Sequence, residues 1–201
     1  MRVKLGKTVL RINISFAATV TLTLILDESG LCATAFFCCI IHELGHIAAM
    51  FLLGEKPKLI ELSFYGIKLE RFGASGVKSL GEIIIYASGP TANFALSALI
   101  FIFGNTEGIK TAAVTSLCVG LFNLLPCRPL DGGNILSFFL ERRTDYEMCE
   151  KICFVVSCVI IVPMVIAGIA LFAESGNMTL LAVSVYLAAV TYRKEKSMDF
   201  F

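Results

Sequence analysis

Two histidines and a glutamate occur together in the stretch HELGH, residues 42–46. Residues four apart lie on one face of an α-helix, about one turn apart, so His42 and His46 can bind the same metal ion. Glu43 lies beside the first imidazole, where it can accept a proton from a water molecule on that ion. The pattern predicts a metal site for hydrolysis, with two imidazole ligands and one carboxylate as proton acceptor.

A purely structural role for the two histidines is the alternative. The chain has only these two histidines, and segment 31–54 contains no Lys or Arg that could neutralise Glu43. A carboxylate held inside a membrane without a partner costs several kcal/mol, which favours the metal site. Gly45 in the same helix would allow either a second helix or a substrate backbone to come close, and the sequence does not separate these two roles.

Two imidazoles do not complete a catalytic zinc site, which takes three protein ligands and a water molecule. Asp131 is the predicted third ligand because it follows Pro129 in the irregular stretch NLLPCRPLDGG. Irregular backbone at membrane depth requires protein or water around it. Cys127 is the alternative ligand, and we expect Arg128 at the membrane interface. Other acidic residues are available but lie in no comparable motif: Glu61, Glu70, Glu82 and Glu141.

Long apolar blocks dominate the 201 residues, of which 57% are hydrophobic and 16% charged. The mean hydropathy is +0.82. This composition predicts an all-α polytopic membrane protein, with its eight cysteines reduced and mostly in apolar segments. The net charge of +1 gives no sign of a nucleic-acid partner. We expect about six transmembrane helices, at 12–27, 31–54, 81–104, 110–126, 151–173 and 178–192.

The basic residues orient these spans. If the N-terminus is cytoplasmic, all 17 Lys and Arg except Lys110 fall on the cytoplasmic side. The positive-inside rule then predicts that both termini are cytoplasmic and that the metal site lies toward the cytoplasm. A cleaved signal peptide is the alternative, but its cleavage site near Ala33 would lie farther along the chain than usual.

A short β-hairpin is predicted in the loop 55–80. Its residues 59–71 show a partial alternation of polar and apolar side chains, with a turn at Tyr65-Gly66. We expect the hairpin to lie at the membrane surface, and an amphipathic loop is the alternative. We find no linker or repeat, so residues 1–201 are expected to form a single membrane-embedded domain.

Three motifs resemble those of the site-2 protease family of intramembrane zinc metalloproteases: HELGH, NLLPCRPLDGG, and the Gly-Pro-x-x-Asn pattern in SGPTAN at 88–93. The resemblance covers about residues 31–135, the expected catalytic core. It implies Zn²⁺ as the cofactor, a membrane-protein or membrane-associated substrate, and a bacterial cell membrane as the location. The residues implied are Glu43 for catalysis, His42, His46 and Asp131 for the metal, and Asn123 and Asn93 for the substrate.

The six-span layout looks most like the sporulation branch of that family, the stage IV sporulation protein FB branch. Its members release a sigma factor from a membrane-associated precursor. The usual member also carries a C-terminal nucleotide-sensing CBS domain, which we do not find here, and we find no PDZ insertion. The substrate, a regulatory membrane partner and the oligomeric state are therefore left open. Two alternatives to a protease are a catalytically inactive membrane scaffold and, less favoured, a divalent-metal transporter.

Overall fold

The computed structural model describes residues 2–5, 8–13, 21, 25, 27, 29–55, 57–63, 66–71, 80–104 and 106–196. The helices are α1 (Leu31–Leu52), α2 (Leu80–Phe103), α3 (Glu107–Asn123), α4 (Asp131–Glu141), α5 (Tyr146–Ser175) and α6 (Thr179–Lys196). The strands are β1 (Arg2–Leu5), β2 (Thr8–Ile12), β3 (Pro57–Ser63) and β4 (Gly66–Arg71). The chain divides into two compact units, Met1–Phe122 and Asn123–Phe201. The single domain over 1–201 stays a prediction.

The four strands form one sheet in the order β1-β2-β3-β4. The outer pairs are antiparallel, and β2 runs parallel to β3. Strands β3 and β4 lie on either side of the turn predicted at Tyr65-Gly66, but residues 64 and 65 are outside the described residues. The β-hairpin and its position at a membrane surface stay predictions. The sequence analysis did not predict β1 and β2. The residues RVKL of β1 alternate between polar and apolar, which is the signal for a strand, but the residues TVLRI of β2 do not alternate throughout.

Among the described residues, three helices are long and apolar enough to cross a membrane: α1, α2 and α5. They cover the spans predicted at 31–54, 81–104 and 151–173. The apolar stretch Thr179–Arg193 of α6 is shorter. The predicted span 12–27 begins in β2 and otherwise falls mostly outside the described residues, so the count of six spans stays a prediction.

Two prolines separate α3 from α4. Helix α3 covers most of the predicted span 110–126 and ends at Asn123, because Pro126 disfavours helical backbone before it. Helix α4 was not predicted, and its 11 residues are too few to cross a bilayer. It begins at Asp131, directly after the segment 124–130. A negative charge at this position is favourable because it faces the positive end of the helix dipole.

Gly45 lies where α1 and α2 pack against each other. A Cβ atom at this position would lie 2.6 Å from the Ser88 carbonyl oxygen and 2.9 Å from the Ala92 Cβ. Any larger side chain would push the two helices apart. Of the two roles that the sequence left open for this glycine, the structure shows helix packing.

Asp27 caps the N-terminus of α1. Its Oδ2 accepts hydrogen bonds from the backbone N–H groups of Cys32, at 2.7 Å, and Ala33, at 3.3 Å. Its Oδ1 accepts a hydrogen bond from the Ser29 hydroxyl at 2.7 Å. The bond from Ser29 is the largest cause that lowers the pKa of the Asp27 carboxyl, and the two helix N–H groups act in the same direction. The charged form of Asp27 is therefore the form that caps α1.

Candidate metal centre

Two buried imidazoles lie one turn apart on α1. The side chains of His42 and His46 are 4% and 6% exposed. Their Nε2 atoms lie 3.1 Å apart, which shows that the two rings converge on one point beside the helix. This is the arrangement that the HELGH spacing predicted.

The second nitrogen of each ring faces an acceptor. His46 Nδ1 lies 2.6 Å from the carbonyl oxygen of Ile85, and His42 Nδ1 lies 2.9 Å from Oδ1 of Asn93. Asn93 cannot present its amide nitrogen to His42 instead, because that nitrogen donates to the carbonyl oxygen of Cys38 at 3.1 Å. Both Nδ1 atoms must therefore carry hydrogen and donate, since neither acceptor has a hydrogen to give.

The tautomer of each ring follows from these bonds. A neutral imidazole protonated at Nδ1 has a lone pair at Nε2. The lone pairs of His42 and His46 thus face each other at 3.1 Å, and this contact is repulsive unless a cation, a metal ion or a proton, lies between them. Two nitrogens bound to a tetrahedral zinc ion at about 2.0–2.1 Å lie roughly 3.3 Å apart. The pair therefore fits two ligands of a single metal ion.

Gly89 of α2 leaves the space that the two rings occupy. A Cβ atom at this position would lie 2.5 Å from His46 Nε2 and 2.7 Å from His42 Nε2. The Gly-Pro-x-x-Asn pattern thus has two physical roles in the structure. Its glycine makes room beside the two Nε2 atoms, and its asparagine fixes the orientation of the His42 ring.

Asn93 was expected to bind substrate, and the structure gives it different partners. Its side chain has no exposed surface. The amide nitrogen donates to the Cys38 carbonyl and to the Ser116 hydroxyl, each at 3.1 Å, and the oxygen accepts from His42. The Ser116 hydroxyl in turn donates to the Asn93 carbonyl at 2.9 Å. Asn93 therefore joins α1, α2 and α3 and cannot also contact a substrate in this conformation.

Sequence reasoning missed Ser116 and the carbonyl oxygens of Cys38 and Ile85. Ser116 is one of several small polar residues in α3, and nothing in the spacing marks the one that faces Asn93. Backbone carbonyls carry no sequence signal at all. These partners appear only when the packing of α1, α2 and α3 is known.

The other predicted site residues are half-buried. Glu43 follows His42 on α1, Asn123 is the last residue of α3, and Asp131 is the first residue of α4. His42, His46 and Glu43 belong to the first unit, and Asp131 and Asn123 belong to the second. The catalytic, metal-binding and substrate-binding roles of Glu43, Asp131 and Asn123 stay predictions.

Cys127, the alternative third ligand, is fully buried. Arg128 differs from the sequence-based expectation. Arg128 does not extend to an interface: it is buried and paired with Glu150. The sequence does not reveal this pairing, because Glu150 lies 22 positions farther along the chain.

The chain is similar to known metalloproteases. Residues 104–164 match Peptidase family M50. A zinc metalloprotease of Methanocaldococcus jannaschii is 27% identical over 161 residues, which are 76% of this chain and 45% of the relative. Stage IV sporulation protein FB of Bacillus subtilis is 25% identical over 164 residues, which are 73% of this chain and 54% of that protein. The chain thus spans about half the length of these relatives.

A solved structure shows the same fold. The site-2 protease from Methanocaldococcus jannaschii superposes with a TM-score of 0.69 at 24% sequence identity, covering 96% of this chain and 94% of that chain. The apolar helices α1, α2 and α5 and these relatives show that the chain is a membrane protein. The names of the relatives indicate Zn²⁺ as the metal that the two imidazoles would bind.

Proposed function

We propose that this chain belongs to peptidase family M50, the site-2 proteases, and that it is an intramembrane zinc metalloprotease. One observation carries the proposal. The Nε2 atoms of His42 and His46 face each other at 3.1 Å while both Nδ1 atoms donate to buried acceptors. That arrangement requires a cation between the rings, and neutral imidazoles with a carboxylate are the donor types that a catalytic zinc ion takes.

Asp131 is the third protein ligand in this proposal. It is a half-buried carboxylate at the first position of α4, and the glycines after it let the helix begin close to the preceding segment. Zinc, when bound, would acidify a water molecule and stabilise the negative charge that develops on the peptide carbonyl oxygen. His42 and His46 hold their Nε2 lone pairs in place for it through their Nδ1 hydrogen bonds.

Glu43 moves the proton in the reaction. It lies next to His42 on a helix segment, 31–54, that contains no Lys or Arg. Its carboxylate accepts a proton from the attacking water and later passes it to the nitrogen of the leaving amine. No bond forms between the enzyme and the acyl group. Asn123, half-buried at the end of α3, donates a hydrogen bond to the substrate backbone or to the carbonyl oxygen of the scissile bond.

The substrate is a membrane-associated protein that is cut in or near a transmembrane segment. A helical substrate holds its carbonyl groups in internal hydrogen bonds, so it must unwind before it can be cleaved. Strand β4 is an edge of the four-stranded sheet, where an extended peptide can add as a further strand. The similarity to stage IV sporulation protein FB makes a sigma-factor precursor one candidate substrate. The distribution of basic residues supports cytoplasmic termini and a site toward the cytoplasm.

Proteolysis and substrate can be tested together by comparing new protein N-termini in host membranes. The membranes contain the wild type, Glu43→Gln, or the control Glu174→Gln, which changes an exposed carboxylate near the end of α5. We expect cleavage products with the wild type and the control but not with Glu43→Gln, while all three proteins retain one equivalent of zinc. Identical N-termini in all samples, with zinc bound, would favour the inactive scaffold instead.

A further inference from the structure

A buried ion pair lies in the second unit, and one of its two residues, Glu150, belongs to no motif that the sequence analysis identified. Arg128, in the segment between α3 and α4, contacts Glu150 in the second turn of α5. Their side chains are 6% and 9% exposed. Removing two charges from water is costly, and a buried pair of this kind often stabilises a fold less than apolar residues of the same size would.

The pair is also incompletely hydrogen-bonded. Within the part of the chain that the structure describes, the buried Oε2 atom of Glu150 has no hydrogen-bond partner. A buried acceptor without a donor lowers stability further. Stability alone is therefore a poor explanation for Arg128 and Glu150, and a role in fixing one conformation is the better one.

The backbone of Arg128 is attached to the same helix at a second point. Its N–H donates to the Ser157 hydroxyl oxygen at 3.0 Å, and that hydroxyl donates to the Cys153 carbonyl at 2.7 Å. Ser157 lies seven residues, or about two turns, after Glu150, so both contacts come from one face of α5. Side chain and backbone together fix Arg128 in position and in rotation.

This attachment continues into the first turn of α4. The N–H of Leu130 donates to the Cys127 carbonyl at 2.8 Å, which closes a tight turn around Arg128. A Cβ atom on Gly133 would collide with the Cys127 carbonyl and come within 2.8 Å of the Arg128 backbone nitrogen. The turn and the start of α4 are thus in direct backbone contact, and Asp131 is the residue between them.

We propose that Arg128, Glu150 and Ser157, here called the Arg128 anchor, act as positioning residues for the Asp131 carboxylate. The anchor joins α5 to the turn that starts α4, and a shift of this turn moves Asp131 with it. The inference rests on the proposed role of Asp131 as the third zinc ligand. It assigns a function to three residues that do not themselves contact the metal.

The test removes the anchor without leaving a lone buried charge. The double variant Arg128→Met, Glu150→Met replaces both charges by flexible apolar side chains, and Ser157→Ala removes the backbone contact alone. The matched controls are Arg143→Met and Glu147→Gln, which change exposed residues of the same unit. The readouts on purified protein are the zinc Kd, from competition with a chelator, and the Tm of the metal-free protein.

We expect the double variant to raise the zinc Kd by about 10–100-fold, as outer-sphere substitutions at zinc sites do. Its metal-free Tm should stay within the range of the two controls, whose zinc Kd should be unchanged. Ser157→Ala should raise the Kd by a smaller factor and serves as the deciding variant if the double variant does not fold. An unchanged zinc Kd in the folded double variant, or in Ser157→Ala if that variant must decide, overturns the proposal.

A thermodynamic cycle with Asp131→Ala separates positioning from a general structural effect. If the anchor acts through Asp131, its removal adds little to the zinc Kd of Asp131→Ala. An equal loss in both backgrounds shows that the anchor acts elsewhere and contradicts the proposal. If Asp131→Ala itself binds zinc like the wild type, the proposed third ligand is wrong, whatever the anchor variants do. The two failures therefore give different results.

Discussion

His42 and Asn93 are joined by a hydrogen bond of 2.9 Å from the ring Nδ1 to the side-chain Oδ1, with both residues buried. Because Asn93 is itself held by the Cys38 carbonyl and the Ser116 hydroxyl, it can offer only its oxygen to the ring. The bond therefore sets the tautomer of His42, in which the ring's lone pair is on Nε2. A residue from the third motif thus decides how a residue of the first motif can bind a metal ion.

Asn93→Ala should weaken zinc binding without removing a zinc ligand. The loss of the acceptor for His42 Nδ1 allows the ring to rotate and to change tautomer, so we expect the zinc Kd to rise about 10–100-fold. Ser116→Ala keeps the hydrogen bond between Asn93 and His42, so this variant should raise the zinc Kd less than Asn93→Ala does. Chelator competition on purified protein measures both, and wild-type affinity for Asn93→Ala would contradict the tautomer argument.

Gly89→Ala should abolish zinc binding, because the added Cβ would lie 2.5 and 2.7 Å from the two Nε2 atoms. No rotation of a methyl group relieves such a contact, so α2 or the imidazoles must move. Gly108→Ala is the matched control, since a Cβ at Gly108 meets no atom within 4 Å. The measurement is zinc content after dialysis, and equal zinc in both variants would argue against the close approach of α2 to the rings.

Proline in strand β4 should reduce cleavage while zinc remains bound. Of two neighbouring positions, Lys68 and Leu69, one directs its N–H toward β3 and the other toward the edge of the sheet. If a substrate strand adds at this edge, Pro at the outward position removes a hydrogen bond to the substrate but none within the sheet. Cleavage rate, zinc content and Tm of both variants are compared. Full activity of both Pro variants would exclude β4 as the docking edge.

Acid should release the cap of α1. The pKa of the Asp27 carboxyl in the folded protein is lowered from its ordinary value of 3.8, so its contribution to stability is present above that pH and is lost as the pH falls through the folded pKa. Amide exchange at Cys32 should therefore accelerate at the acid end of a titration relative to Asp27→Asn, whose cap does not titrate. A parallel pH dependence in the two proteins would show that Asp27 does not carry the cap.

The apolar blocks in the sequence predicted α1, α2 and α5. A membrane-spanning helix needs about 20 mostly apolar residues in a row, and a run of that length is a strong signal. The N-terminal strands were not predicted, because β1 and β2 are short and the other two strands of their sheet lie elsewhere in the chain. In particular, β2 pairs with β3, about 50 positions away. Alternation over four or five residues does not reveal such a partner.

The sequence by itself determined the chemistry of the candidate site, since the HELGH spacing alone brings two imidazoles to one face of a helix with a carboxylate beside them. Only the tertiary structure decided how those imidazoles are held, because their Nδ1 partners are Asn93 and the carbonyl of Ile85 on a different helix. It also decided that Arg128 is buried against Glu150 and that Gly45 and Gly89 are close-packing positions. Contacts between distant segments depend on how helices pack, and residue spacing within one helix carries no information about that.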